Sequence, residues 1–291
     1  MELMDSTSDE PIPLPVHISK PDHQLSGHEF GKSKTRFGML KDHRSKRLLK
    51  PIIDIRGKRE YDFYQTVWNS SDVKLQSFVP KFYGLVTIEN IKFIQIEDSM
   101  EGLANPSNMD IKIGSITYDP GADVKKIEEE TSKSQWQAAL GFRICGFRIY
   151  NPMDQNCTLV DKFVTRQLKP ENIPEAIDMF LGSKFNSLEI RIELSQNYLS
   201  KLKSIQEWFE TVNINHLKFL SSSLLFIHPC DNQFVHLKMI DFAHVFPNAS
   251  TNQGDNCKDV NYLFGLNKII YYFTTLHESL IQKQNTSQIS V

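Results

Sequence analysis

The stretch that most constrains this chain is Pro106 to Gly114, reading Pro-Ser-Asn-Met-Asp-Ile-Lys-Ile-Gly. In a β-strand, alternate side chains face opposite ways, so Met109, Ile111 and Ile113 form one apolar face. Asp110 and Lys112 stand together on the other face, and Gly114 leaves room for a close approach to the backbone. An acid and a base on a rigid strand suit a polyanion with its metal or ribose. Equally, they suit a solvated strand, where such a pair is worth about 0–1 kcal/mol and needs no site.

With 291 residues, 40% of them hydrophobic, the chain can bury one large core or form two lobes with a cleft. The formal net charge of −2 gives no global field for nucleic acid or an acidic membrane, so any polyanion site must be local. Cys145, Cys157, Cys230 and Cys257 show no C-x-x-C spacing, which argues against a zinc site or a disulfide framework. No apolar run reaches the roughly 20 residues of a membrane span, and the start has no secretory pattern. The expected location is the nucleus and cytoplasm.

Residues 1–24 are polar and proline-bearing and are expected to form a disordered tail. A basic region from Lys32 to Lys50 reads as a solvated face, with nuclear import as a lesser reading. Gly27 to Ser33 imitates a phosphate-binding loop, but it is one residue short between its glycines and follows no hydrophobic strand. Phe37–Leu40 and Arg47–Pro51 predict a hairpin. Gly57 to Trp68 predicts a helix with Glu60 in its first turn. Strands are predicted over Phe78–Thr87 and Ile91–Ile96, after which Glu97-Asp98-Ser99 breaks the apolar pattern.

Farther on, helices are predicted over Asp123–Lys133, Pro174–Leu181, Leu199–Val212 and Asp259–Gln282. Strands are predicted over Phe142–Tyr150, Leu159–Val164, His216–Ile227 and Phe234–Phe242. In the last of these, Val235, Leu237 and Met239 share a face with Asp241, so a carboxylate ends an apolar row. A buried carboxylate needs a cation or a metal, and a structural ion pair would serve as well. On the helix from Asp123, residues Lys126, Glu129, Glu130 and Lys133 fall on one face, where ordinary i,i+4 pairs are the plain reading.

Three motifs occur in order: Pro106-x-x-x-Asp110-x-Lys112-x-Gly114, Ser222-Ser223-Leu224-Leu225 and Ile240-Asp241-Phe242-Ala243-His244. Together they resemble the landmarks of the inositol phosphate kinase family, and the resemblance, from about Leu25 onward, is closest to the inositol polyphosphate multikinases. It implies an α+β, two-lobed fold distantly like protein kinases. Residues 25–98 would form a small β-rich N-lobe ending in a hinge. Residues 99–291 would form a larger C-lobe whose helix at 123–133 binds the inositol phosphate.

The resemblance also implies roles for single residues. ATP would be held by Lys50 at its phosphates, by the hinge Glu97, Asp98 and Ser99, by Asp110 at the ribose, and by Leu225 and Ile240 at the adenine. Asp241 would bind Mg²⁺, and Lys112 would meet the transferred phosphate. Glu60 would pair with Lys50 across the lobe. Arg56, Lys126, Glu129, Glu130, Lys133, Lys162 and His244 would face the substrate, although the family has glutamines where this chain has Glu129 and Glu130.

The implied activity is ATP-dependent phosphorylation of inositol tris- and tetrakisphosphates toward the pentakisphosphate by a monomer. No nucleic acid and no membrane insertion are expected, although a phosphoinositide lipid is conceivable as a further substrate. Tyr118-Asp119-Pro120-x-Ala122 weighs against the rival inositol hexakisphosphate kinase, and Ala243-His244 against a trisphosphate 3-kinase. A non-catalytic scaffold is the rival from another class, yet Lys50, Asp110, Lys112 and Asp241 are all kept.

Overall fold

Alternation along a strand is enforced only where one face meets a core, and β-sheets of this kind build both halves of the molecule. The computed structural model describes residues 14–22, 24–25, 38–212, 217–230, 234–247 and 258–289. The segment Gly27–Ser33 and the basic residues Lys32, Lys34 and Arg36 lie outside the described residues.

The first antiparallel sheet takes β1 (Ile18–Ser19), β2 (Leu40–Asp42), β3 (Arg47–Pro51), β4 (Phe82–Ile88) and β5 (Ile91–Glu97), in the order β1-β2-β3-β5-β4. Ile18 and Ser19, within the segment expected to be a disordered tail, pair with Asp42 and Lys41. Buried Ile18 packs with Leu40, Leu49 and Phe93, which is the apolar gain that orders this short segment.

Between β3 and β4 come α1 (Ile55–Asn69) and α2 (Val73–Phe78). The Asp54 carboxylate caps α1 by accepting the Arg56 and Gly57 N–H groups. This early start puts Glu60 in the second turn, not the first, where it is buried against the cleft. Phe78, expected in a strand, instead closes α2. The Asp72 carboxylate caps that helix at Leu75 N, 2.9 Å away, and also accepts Trp208 Nε1 at 2.8 Å.

The second half contains β6 (Ser107–Ile113), α3 (Val124–Thr131), α4 (Gln137–Leu140), β7 (Phe142–Asn151), β8 (Asn156–Val160) and α5 (Lys162–Thr165). It continues with α6 (Ile173–Phe180), α7 (Leu188–Thr211), β9 (Leu217–Phe219), β10 (Ser223–His228), β11 (His236–Ile240), β12 (Val245–Pro247) and α8 (Val260–Ile289). Its antiparallel sheet runs β11-β10-β6-β7-β8, with β9 and β12 forming a separate ribbon. The strand that dominates the sequence is therefore the middle one. Met109, Ile111 and Ile113 are at most 1% exposed in the main core with Ile177, Leu202 and Phe273 of the helices behind.

Two predicted strands are broken, each for a local reason. Leu159–Val164 stops at Val160 because the Asp161 side chain accepts the Phe163 and Val164 N–H groups and starts α5. His216–Ile227 divides into β9 and β10 at Ser221, which has a left-handed φ of +54°. The long helix α7 begins eleven residues before the predicted Leu199. Its first half carries Arg191, bonded to Asp178 at 2.6 Å, which interrupts the apolar stripe.

Gly114 does permit a close approach, but from within the protein. It has φ +104°, and a Cβ there would collide with the Asn261 side chain of α8. Gly265 on the same helix packs directly on the Gly141 carbonyl. The glycines thus seat α8 against the end of β6.

His228 on β10 is buried, with Nδ1 at 3.0 Å from the Tyr198 hydroxyl, and burial pushes its pKa down to about 3. Because this value lies below the unfolded value near 6.5, the stability is whole above about pH 6.5 and is lost as pH falls toward 3. Unfolding at pH 5 should therefore be easier by about 2 kcal/mol than at pH 7 from this group. Urea titrations across that range check it. A His228→Gln variant with the same pH slope would remove His228 as the cause.

Candidate active site

The sheet faces away from the core enclose a cleft of about 1470 Å³, lined by residues from β2, β3, α1, the β5–β6 connection, β6, α3, β7, α5, β10 and the β11–β12 turn. This exceeds the roughly 300–1,000 Å³ of a single small-ligand pocket and leaves room for two polar ligands.

At one wall of the cleft, Lys50 Nζ of β3 lies 2.5 Å from Glu60 Oε1 of α1 and 2.8 Å from Asp241 Oδ1. The pair expected between Lys50 and Glu60 is thus present. Glu60 Oε1 also accepts the Phe242 N–H at 3.3 Å. Burial works against the Lys50 ammonium, yet Asp241 and Glu60 together raise its pKa well above the usual value. Asp241 follows β11 with φ +64°, so it does not continue the alternation of Val235, Leu237 and Met239. That backbone turn swings its carboxylate out of the apolar row and into the cleft, where the side chain is 35% exposed. Burial would raise the Asp241 pKa, but Lys50 and then Lys112 hold it below the usual value.

Asp110 and Lys112 project from β6 into the same cleft, Asp110 opposite Leu225 of β10 and Gly146 of β7. Lys112 Nζ donates to the carbonyl and hydroxyl oxygens of Ser221, at 2.7 and 2.9 Å. It thereby secures the left-handed residue that parts β9 from β10. Leu225 and Ile240 line the cleft close by, as do Glu97, Asp98 and Ser99 at its edge. The acids of the expected hinge are already engaged. Asp98 accepts Lys41 Nζ at 2.7 Å and Met100 N at 3.0 Å, while Glu97 accepts Lys81 N at 2.9 Å.

The far side is cationic, and here the expectations divide. Lys126, Glu130, Lys133, Arg56, Lys162 and His244 all line the cleft. Glu129 does not; it is 52% exposed on the outer side of α3, because successive side chains on a helix point about 100° apart. Glu130 sits between Lys126 at 2.9 Å and Lys133 at 2.6 Å. Burial disfavours the Glu130 carboxylate, but those two lysines more than offset it and lower its pKa. Arg56 is paired with Asp54 at 2.6 Å. His244 Nδ1 bonds to Asp119, whose other oxygen accepts Arg59 Nη1 at 3.1 Å.

Sequence reasoning missed Arg59, Asp119, Arg143, Arg166 and Lys218, all of which line the cleft. Arg143 had a partial signal in the alternation of β7, but the β6–β7 register shifts between Asp110 and Ile111. The bulge exchanges odd and even positions, so the cleft face carries Gly146 and then Arg143.

Removing the shared ammonium leaves buried Glu60 without its partner. Lys50→Met should therefore destabilise the protein by about 3 kcal/mol, and adding Glu60→Leu should recover much of that loss. Unfolding midpoints of the single and double variants measure it. Equal midpoints for wild type and Lys50→Met would mean the tie contributes no stability.

Residues 93–274 match the family model described as inositol polyphosphate kinase. The chain is 30% identical over 227 residues to the inositol polyphosphate multikinase of Homo sapiens, covering 75% of this chain and 53% of that protein. Against the multikinase of Mus musculus it is 29% identical over 313 residues, 98% of this chain and 76% of the relative. The chain thus spans about half the length of the human relative. In fold it is similar to the inositol phosphate multikinase Ipk2 of S. cerevisiae, solved with ADP and Mn²⁺, with a TM-score of 0.65 and 21% identity over 79% of this chain and 98% of that one. With motifs, fold and more than half of its length in agreement, this chain belongs to the inositol polyphosphate kinase family.

Proposed function

We propose that the chain is an ATP-dependent inositol polyphosphate multikinase, transferring the γ-phosphate to inositol tris- and tetrakisphosphates. One observation carries the reading most directly. Lys50, Asp110, Lys112 and Asp241 converge on one part of a cleft whose other part is lined with cations. That division matches a nucleotide beside a second, highly anionic ligand. The binding of ADP and Mn²⁺ by the yeast relative of the same fold supports it.

Phosphoryl transfer asks for position and charge neutralisation more than for covalent chemistry. In this reading the acceptor hydroxyl forms a bond to the γ-phosphorus as the bond to the bridging β–γ oxygen breaks. Lys50 neutralises nucleotide phosphates, and Lys112, pre-set by Ser221, neutralises the phosphoryl group in transit. Asp110 holds the ribose hydroxyls, with Leu225, Ile240 and the segment Glu97 to Ser99 around the adenine. Arg56, Lys126, Lys133, Lys162 and His244 hold the acceptor, and Asp119 steadies His244.

The donor set fits Mg²⁺. Asp241 offers a hard carboxylate oxygen to the cleft, its other oxygen being taken by Lys50. Among the described residues no cluster of three or more His, Cys, Asp or Glu stands ready for a metal. Asp241 would hold the ion through that carboxylate oxygen. Bound there, the ion would supply neutralisation of phosphate charge. Among the described residues no helix is long and apolar enough to cross a membrane.

Incubation with ATP, Mg²⁺ and a panel of inositol phosphates tests the reading, with ADP release and product phosphate number as readouts. Asp241→Asn should abolish turnover while the fold persists, because the amide keeps the volume but loses the charge that fixes the cation. A variant that matches wild type at saturating Mg²⁺ would refute that role, and a silent wild type would favour the scaffold.

The acidic pair on α3 yields a second expectation. Glu130→Gln releases Lys126 and Lys133 and should lower the acceptor KM by roughly threefold to tenfold, less so at high salt. Glu129→Gln should leave it unchanged. The reverse pattern in steady-state kinetics would place Glu129, not Glu130, at the substrate.

A further inference from the structure

On the acceptor side of the cleft some cations are paired and others are not. Glu130 is bracketed by Lys126 and Lys133, Asp119 takes Arg59, and Asp54 takes Arg56. Arg143, like Lys162, Arg166 and Lys218, has no carboxylate within 4.0 Å among the described residues. It nevertheless stands directly across the β6–β7 ladder from Lys112, both on the face toward the cleft. Like charges opposite each other on neighbouring strands repel, and an anion between them reverses the sign.

Its placement is also rigid. Arg143 Nη1 donates to Gln137 Oε1 at 2.7 Å, and Gln137 Nε2 donates to the Gly114 carbonyl at 3.0 Å. Gln137 is only 5% exposed, so it acts as a fixed bracket between α4 and the end of β6. The guanidinium also meets the Cys145 thiol, which leaves most of its five N–H groups for a ligand. The adjacent Cys145 thiol is pushed by burial up to about 11, so it stays neutral and supplies no counter-charge. Burial holds the Lys133 pKa below its usual value, and the nearby Arg143 charge adds to that effect. Arg143 therefore belongs with Lys133 on the acceptor side.

We propose that Arg143 binds a phosphate of the acceptor and selects for acceptors carrying more phosphates. The inference rests on the kinase reading for the identity of the acceptor. A planar guanidinium presents paired donors that match two oxygens of one phosphate, which a lysine cannot copy. With Glu130 consuming part of the charge on α3, the neighbouring strand β7 supplies the replacement cation.

The test compares wild type, Arg143→Met and Arg143→Lys on inositol tris-, tetrakis- and pentakisphosphates. Dissociation constants are measured by calorimetry without nucleotide, KM and kcat by ADP release. In Arg143→Met the acceptor Kd and KM should rise about fivefold for the trisphosphate and more for the pentakisphosphate, with Arg143→Lys between. KM for ATP should stay in place, and the thermal midpoint should fall by no more than the lost hydrogen bond to Gln137 accounts for. Unchanged acceptor constants overturn the proposal even when the enzyme is active, as does a uniform loss accompanied by a larger fall in the midpoint. A wild type that binds these probes without turnover removes the kinase reading while the Kd ratios still decide the role of Arg143. A wild type that binds none of them overturns both.

Discussion

The cleft depends on a single ammonium group. Lys50 Nζ ties a strand of the first sheet to Glu60 on α1 and to Asp241 beyond the last strand of the second sheet. The same joint is packed from behind, where Phe63 of α1 stacks on Phe242 with ring centroids 4.1 Å apart. The apolar contact sets the distance between the halves, and the charges set what faces the space between them. Two carboxylates sharing one lysine leave a surplus of negative charge beside the cleft, which suits a cation arriving with a nucleotide.

Backbone conformation does the aiming. Asp241 and Ser221 both have positive φ, at +64° and +54°, and both interrupt strands that would otherwise run on. The first interruption turns a carboxylate into the cleft. The second gives Lys112 two oxygen acceptors at the place where the strand parts. Such residues are costly outside a functional setting, and here each is held by a charged partner.

Charge on the side of the cleft lined by α3 follows a different logic. A carboxylate between two lysines lowers the field that α3 presents, and Arg143 restores positive charge from the sheet. This wall of the cleft is thus assembled from a helix and from a strand that follows it closely in the chain.

Much of this was legible in the residues themselves. The alternation of Met109, Ile111 and Ile113 established a strand with a buried face, and it lies at the centre of the second sheet. The periodicity of Leu202, Ile205 and Trp208 established a buried helix stripe. The motifs around Asp110, Lys112 and Asp241 established the family, because spacing along one strand is a local property. What local pattern could not reach was anything decided by a partner. Only strand pairing, with its bulge at Cys145, brought Arg143 beside Lys112. Only the docking of α8 gave Gly114 its neighbour. The split between Glu129 and Glu130 depended on which side of α3 met the cleft. A sequence specifies the direction of each side chain relative to its own backbone, and tertiary packing alone decides what stands in that direction.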